Sequence, residues 1–331
     1  MTPRFMQSKS DKRILINKST QTSQLHPRNR HQGRYDFQRL VQADATLGNF
    51  VRMNAHGEQS IDFADPAAVK ALNRALLKDN YGIQGWDIPP LSLCPPVPGR
   101  ADYVHYLADL LAASNDGVLP KGKSIQVLDI GTGANCIYPL IGHSEYGWRF
   151  VATDINANSL ANAQTILDAN PGLAQQVTLR LQPSSDAIFK NIIRDDEWFD
   201  LTLCNPPFHA SLAEASAATQ RKWGNLGNQN PNPTLNFGGE DAELYCKGGE
   251  ERFIQRMISE SKPISTHCFW FTTLVSKSAS LPSIYAALKL SGVQDHKTIA
   301  MSQGQKQSRF VAWTFLNPAQ QSGWCKLRWG R

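Results

Sequence analysis

Hydrophobic and polar positions divide the chain into three stretches. Residues 1–33 set Lys, Ser, Thr, Gln, Asn and Arg around few large apolar residues. Such a composition buries too little surface to fold alone, and it predicts a disordered tail. From 34 to 120 helical spacing dominates. In PAAVKALNRALLKDN (66–80), Val69, Leu72, Leu76 and Leu77 share one face. Asp65 is its expected N-cap, Pro66 suits the first turn and Gly82 lies beyond the end. YVHYLADLLAA (103–113) predicts a second helix. Between them WDIPPLSLCPPVPGR (86–100) is Pro-rich and reads as an extended connector wrapping a surface.

From 121 to 331 the period changes. IQVLDIG (125–131), FVATDI (150–155), VTLRLQ (177–182), FDLTLC (199–204) and HCFWFTTLV (267–275) are short apolar runs that predict strands. Helical patterns stand between or after them: 156–170, DAIFKNII (186–193), ERFIQRMISES (251–261) and LPSIYAALKLSG (281–292). KTIAMSQ and RFVAWTFL, with Gly304 between them, predict a closing antiparallel hairpin. This alternation predicts a doubly wound α/β sheet, mostly parallel.

Composition narrows the class. The 331 residues are 41% hydrophobic and 19% charged, as in soluble globular proteins. No run approaches the roughly 18 apolar residues of a membrane span. The basic N-terminus lacks the apolar segment of a secretory signal. The six cysteines form no CxxC pair, which supports neither a zinc site nor a disulfide framework. No metal and a reducing, cytoplasmic setting are expected. The net charge of +6 is uneven. Residues 1–39 hold nine Lys or Arg against two acids, and 301–331 hold five basic residues and no acid. Both ends are expected to meet phosphates, which points to nucleic acid.

Three motifs carry chemistry. VLDIGTG (127–133) runs a strand into Gly131 and Gly133, a turn that lets backbone approach a nucleoside closely. Asp154 ends the next strand, where a carboxylate can accept both hydroxyls of a ribose. These two features fit NAD or S-adenosylmethionine, but GTGAN lacks the third glycine of a dinucleotide fingerprint, and no phosphate-cradling GxxxxGK[ST] occurs. The third motif is WFDLTLCNPPFH (198–209), a strand ending in Asn205 and two prolines. Its place after the fourth strand predicts that Asn205 and Phe208 lie beside the ligand of the glycine turn. An exocyclic amine is a poor nucleophile because its lone pair is delocalised. Two acceptors on its N–H bonds free that pair: the Asn205 amide oxygen and the stiffened Pro206 carbonyl. Pro207 stiffens the turn, and Phe208 offers a stacking face.

VLDIGTG, Asp154 and NPPF together resemble the class I S-adenosylmethionine-dependent amino-methyltransferases. NPPF matches their [DNS]PP[FYW] motif. With VPGR (97–100), LDIGTGANCIYPLIG, the GGE of KGGEERFI, FTTLVSK and GQKQSRFVAW, the chain from about 35 to 318 is similar to RlmF. RlmF is the bacterial 23S ribosomal RNA adenine-N6 methyltransferase family, with relatives among eukaryotic small-nuclear-RNA adenine methyltransferases. The resemblance implies a Rossmann-like fold and methyl transfer to one adenine of 23S rRNA, with the rRNA itself or a large-subunit assembly intermediate as partner. It implies that Gly131, Thr132, Gly133 and Asp154 hold the cofactor and that Arg100 meets its methionine carboxylate. Asn205, Pro206, Pro207 and Phe208 would hold the target adenine. Residues 34–120 would then bind RNA beside the methyltransferase domain.

Other readings stay open at this stage. Asp129 either touches ligand or orders the glycine turn. Ser185 and Asp186 either meet the cofactor adenine or cap a helix. Lys277, Lys306 and Arg309 are candidates for phosphate contact. The insertion at 224–249, with Trp223 and Phe237 at its flank, could fold over substrate. Two competing functions are a protein glutamine N5-methyltransferase, since a carboxamide poses the same amine problem, and a catalytically silent rRNA-binding assembly factor. Phe208 in place of Tyr and the basic ends count against the first; intact NPPF and Asp154 count against the second. No membrane or obligate protein partner is expected.

Overall fold

The computed structural model describes residues 25–90, 92–207, 246, 248–303 and 306–330. At its centre lies a seven-stranded sheet. The strands are β1 (Gln126–Ile130), β2 (Arg149–Asp154), β3 (Val177–Leu181), β4 (Phe199–Cys204), β5 (Cys268–Val275), β6 (Asp295–Gln303) and β7 (Lys306–Thr314). Their order is β3-β2-β1-β4-β5-β7-β6. The first five strands run parallel, and β7 is antiparallel to both β5 and β6. Strand order reverses between β1 and β4, the switch point where open α/β sheets bind ligands. β4 is buried along its whole length, as expected of a strand covered on both faces.

The helices are α1 (Phe37–Ala43), α2 (Pro66–Tyr81), α3 (Val97–Ala113), α4 (Ile137–Tyr146), α5 (Ala157–Asp168), α6 (Pro171–Ala174), α7 (Gly249–Ser261), α8 (Leu281–Ser291) and α9 (Pro318–Arg328). The ends of α2 follow its sequence signals. The Asp65 side chain accepts from Ala67 N, and Gly82 closes the helix at φ +71°. One buried cluster joins α1 to α4 with the sheet, so Tyr103 and Leu107 share a core with Val127 and Leu201. A second gathers Ile254, Met257 and Ile284 of α7 and α8 with Phe199 and Phe271.

The structure departs from the sequence reading in four places. First, α3 begins at Val97, so VPGR is its first turn rather than a turn before it. Pro98 fits there because the first turn needs no backbone donor.

Second, DAIFKNII forms turns instead of a helix. Outside groups occupy its backbone. Glu260 accepts from Ile188 N and Phe189 N at 2.8 and 3.0 Å, while Gln182 donates to Lys190 O and Arg180 to Ile192 O.

Third, the tail is ordered from residue 25. His26, Asn29 and His31 are buried. His26 N and Asn29 Nδ2 donate to Asp102 Oδ1 on α3, and Asn29 Nδ2 also donates to Pro98 O. Composition hides this because the segment packs through polar groups rather than apolar ones. Residues 1–24 lie outside the described residues.

Fourth, the basic residues of this segment meet acids. Arg28 pairs with Asp109, Arg30 with Glu145, Arg34 with Glu58 and Arg39 with Asp79. At the other end Arg328 pairs with the buried Asp200. Each of these five cations has an acid of the fold as a neighbour; Arg34 and Arg39 remain largely exposed, where such pairs add little stability.

Candidate active site

The glycine turn follows β1 directly. Gly131 and Gly133 take φ values of +75° and +63°, a region that L side chains avoid. Gly131 N and Thr132 N both donate to Thr153 O, at 2.9 and 2.8 Å. Asp154 holds the next link. Its Oδ2 accepts from Gly133 N at 2.8 Å and its Oδ1 from Asn156 N at 2.9 Å. The N-cap of α5 is Asn156, which accepts from Asn158 N and Ser159 N. Capping is therefore not the work of Asp154.

The position without a third glycine is closed by side-chain bonds. Asn135 Oδ1 accepts from Ile137 N, and Asn135 O accepts from Trp86 Nε1. The left-handed residue before α4 is Cys136, at φ +51°. Trp86 and Leu93, whose carbonyl accepts from Asn135 Nδ2, belong to the Pro-rich connector. That connector is thus part of the site wall.

A cavity of about 460 Å³ opens over this turn. That is within the usual size of small-molecule sites, about 300–1,000 Å³. Arg100, Gly131, Thr132, Gly133, Asp154 and Ser185 line it on the glycine-turn side. Asn205 and Pro207 line it from the end of β4. Pro206 is buried and Asp129 lies fully buried beneath the turn. Phe208, His209, Trp223, Phe237 and the insertion through 245 lie outside the described residues. Lys277 follows β5, and Arg309 of β7 pairs with Val275 at the end of β5, so both sit at the same end of the sheet.

Three buried polar groups around the cavity make no formed hydrogen bond. They are both oxygens of Asp129, Oγ1 of Thr132 and Oδ1 of Asn205. A native interior seldom leaves such groups unmet. Burial pushes the Asp129 pKa up to about 7; the Thr132 hydroxyl beside it and Arg100 oppose the rise, and Asp154 adds to it. Arg100 Nη1 donates to Tyr138 OH at 3.1 Å, with its guanidinium over the Tyr138 ring. Burial pushes Tyr138 up to about 12, so its phenol stays neutral.

A family model described as RNA methyltransferase matches residues 19–317. The chain is 59% identical to ribosomal RNA large subunit methyltransferase F of Pseudomonas aeruginosa over 310 residues, covering 93% of this chain and 92% of that one. It is 57% identical to the protein of the same name from Methylobacillus flagellatus, covering 93% and 96%. The chain belongs to the ribosomal RNA large subunit methyltransferase F family.

Solved structures share the fold. The human METTL16 catalytic domain in complex with the MAT2A 3′UTR hairpin 1 superposes with a TM-score of 0.75 at 29% identity, over 89% of this chain and 96% of that one. The N-terminal domain of human METTL16 in complex with SAH superposes at 0.70 and 26% identity, over 88% and 99%. Two motifs singled out in the sequence, GGE and FTTLVSK, now have a geometry. Glu250 of GGE is buried and accepts from Ser276 N, Ser276 Oγ and Lys277 N at the end of FTTLVSK. Two motifs far apart in sequence thereby lock one turn at the site edge.

Sequence reasoning missed several lining residues. Leu93, Pro95, Tyr138, Phe253 and Arg256 all reach the cavity. Arg256 Nη1 donates to Ser185 O, fixing the loop that carries Ser185. A connector and a helix face gave no local chemical signal for these. Among the described residues no group of three His, Cys, Asp or Glu could hold a metal ion, and no helix is long and apolar enough to cross a membrane.

Proposed function

We propose that the protein transfers a methyl group from S-adenosylmethionine to the N6 amine of one adenine in 23S ribosomal RNA. The observation that carries this reading is Asn205 Oδ1, a buried acceptor without a partner in the cavity wall that also holds the glycine turn and Asp154. The names of the methyltransferase F relatives supply the rRNA. The METTL16 complexes with an RNA hairpin and with SAH support RNA as substrate and S-adenosylhomocysteine as product.

The residues present fit the cofactor. Positive φ at Gly131 and Gly133 keeps backbone rather than side chain against the cavity, and a Cβ at Gly131 would meet no protein atom within 4 Å. Gly131, Thr132 and Gly133 would hold the nucleoside, Asp154 the ribose hydroxyls and Ser185 the adenine side. Arg100, backed by Tyr138, would meet the methionine carboxylate, where a guanidinium fork suits a carboxylate. Asp129, buried below the turn beside Thr132, would balance a cationic group of the ligand once ionised. When bound, S-adenosylmethionine supplies an electrophilic methyl on sulfur.

The chain's own part in the reaction is to orient and polarise the amine. Asn205 Oδ1 and the Pro206 carbonyl each accept one N–H of the target amine. This draws the nitrogen toward sp3 and frees its lone pair. Pro206 and Pro207 restrict the backbone, so the acceptors need no reorganisation as charge develops. Phe208 stacks on the base turned out of its strand. The product nitrogen then sheds its extra proton to solvent, so no strong general base is required. The N-terminal helices, with Lys277 and Arg309 at the site edge, would track RNA phosphates. Such a protein works in the bacterial cytoplasm, where rRNA is made.

The test uses labelled S-adenosylmethionine with deproteinised rRNA, ribosomal subunits and total protein in separate reactions. Label is expected in rRNA and, after digestion, in N6-methyladenosine. Label in protein alone would overturn the reading in favour of a glutamine substrate. Asn205→Ala should lower transfer by at least about a hundredfold, the scale for losing one oriented polar group. Cofactor affinity should stay within about threefold of wild type.

A further inference from the structure

We infer that Glu260 is a positioning residue for the adenine side of the cofactor site. The inference rests on the proposed placement of S-adenosylmethionine, with its ribose at Asp154. It starts from the strand ends. Asp154 closes β2 and pairs with Leu181 at the end of β3. Gln182 follows, and its N–H donates to Asp154 O at 2.8 Å. Asn205 stands on the other side of β1, just past the end of β4. A nucleoside with its ribose at Asp154 and its methyl toward Asn205 lays its adenine against the chain leaving β3. Ser185, Asp186, Ala187 and Ile188 of that chain line the cavity.

This stretch is neither helix nor strand. Its own backbone joins Ala187 N to Ser184 O and Ile192 N to Phe189 O. The amides of Ile188 and Phe189 point instead at α7. There Glu260 Oε2 accepts from Ile188 N at 2.8 Å and from Phe189 N at 3.0 Å. Gln182 holds the same residues from the strand side. Its Nε2 donates to Lys190 O at 2.9 Å and to Ile188 O at 3.3 Å, and its Oε1 accepts from Ser184 N at 3.1 Å. Ile188 thus has its N–H on one side chain and its C=O on another while bordering the cavity.

Arg256, one turn earlier on α7, reaches the same stretch. Its Nη1 donates to Ser185 O at 3.2 Å and lies 3.7 Å from Asp186 Oδ1. Residues four apart share a helix face, so α7 turns one polar edge toward the loop. The Arg256–Asp186 pair adds little, because Asp186 is exposed. Glu260 matters more. Ile188 and Phe189 are buried in one cluster with Ile254, Met257 and Ile258 of α7. Buried N–H groups that lose their acceptor are costly, so the loop must shift to find another. The adenine wall shifts with it. The acceptors at Asn205 and Pro206 follow β4 and use none of these bonds. Loss of Glu260 is therefore a loss of nucleoside affinity with the transfer step intact.

The experiment compares purified full-length variants by calorimetric binding of S-adenosylhomocysteine and of adenosine, and by steady-state methyl transfer to rRNA. Glu260→Ala is expected to weaken both ligands about tenfold, the equivalent of about 1.4 kcal/mol. KM for S-adenosylmethionine should rise by the same factor, while kcat at saturation stays within about twofold. Glu260→Gln keeps one acceptor oxygen and should weaken both ligands only about threefold. Wild-type affinity in folded Glu260→Ala overturns the inference, even with a lowered melting temperature. So does a fall in kcat without a rise in KM. Weakened S-adenosylhomocysteine beside unchanged adenosine also overturns it, since the effect would then lie at the methionine end. Where Glu260→Ala does not fold, Glu260→Gln decides by the same measurements. Asp154→Asn separates the two claims: wild-type affinity there as well defeats the placement of the cofactor itself. A weakened Asp154→Asn beside a fully binding Glu260→Ala defeats only the role of Glu260.

Discussion

Asp154 Oδ2 accepts the Gly133 N–H at 2.8 Å and so ties the end of β2 to the glycine turn that follows β1. Its other oxygen holds Asn156 N, the start of the next helix. One carboxylate thus organises both turns that border the cavity.

Asp154→Asn keeps the size of the side chain but replaces an acceptor with a donor facing an N–H. Hydrogen bonds to a charged group contribute about 1.5–3 kcal/mol. Binding of S-adenosylmethionine should weaken by about tenfold to a hundredfold, since about 1.4 kcal/mol is a factor of ten. Calorimetric titration checks this, and an unchanged affinity would remove Asp154 from the ligand site.

Asp129 predicts a pH dependence. Its folded pKa is raised to about 7, against an ordinary value of 3.8. Below the ordinary value both folded and unfolded chains carry the proton, and this group has no effect. As pH rises toward 7 the unfolded chain ionises while the folded one still holds its proton. Stability from this group is therefore lost across that window, by up to roughly 1.4 kcal/mol per pH unit, and levels off above it. Asp129→Asn should raise the ligand-free melting temperature at pH 8 and leave it nearly unchanged at pH 4. Thermal melts at the two pH values decide the matter; equal shifts at both would show that the carboxyl titrates normally.

Asp200 predicts a stability effect remote from the chemistry. It is fully buried at the start of β4 and accepts from Trp324 Nε1, Trp329 Nε1, Arg328 and Gln126 N. It clasps α9 to the end of the sheet opposite the cavity. Asp200→Ala leaves a cation and three N–H groups without their acceptor, which should cost about 3–5 kcal/mol. Urea unfolding followed by tryptophan fluorescence measures it. Cofactor affinity of the folded fraction should be unaltered, and a matching loss of affinity would tie the clasp to the site.

Much of the fold is legible in the sequence because its signals are local. Apolar runs such as VLDI and FDLTLC mark buried parallel strands, and Asp65 and Gly82 mark the ends of α2. The failures share one cause, partners distant along the chain. DAIFKNII has helical spacing, yet Gln182, Arg180 and Glu260 take its backbone groups. The segment from 25 to 33 has a tail's composition, yet Asp102 and Asp109 on α3 receive its donors.

The sequence by itself determined the family, the glycine turn, Asp154 and the Asn-Pro-Pro strand end, since each is a short run whose chemistry is contiguous. Tertiary structure alone decided that Arg100 leans on Tyr138, that Arg28 pairs with Asp109, and that Glu250 holds the turn after β5. The physical reason is that a hydrogen bond is specific only where both partners are buried together. No periodicity or composition along a chain records which distant donor and acceptor will share one dry site.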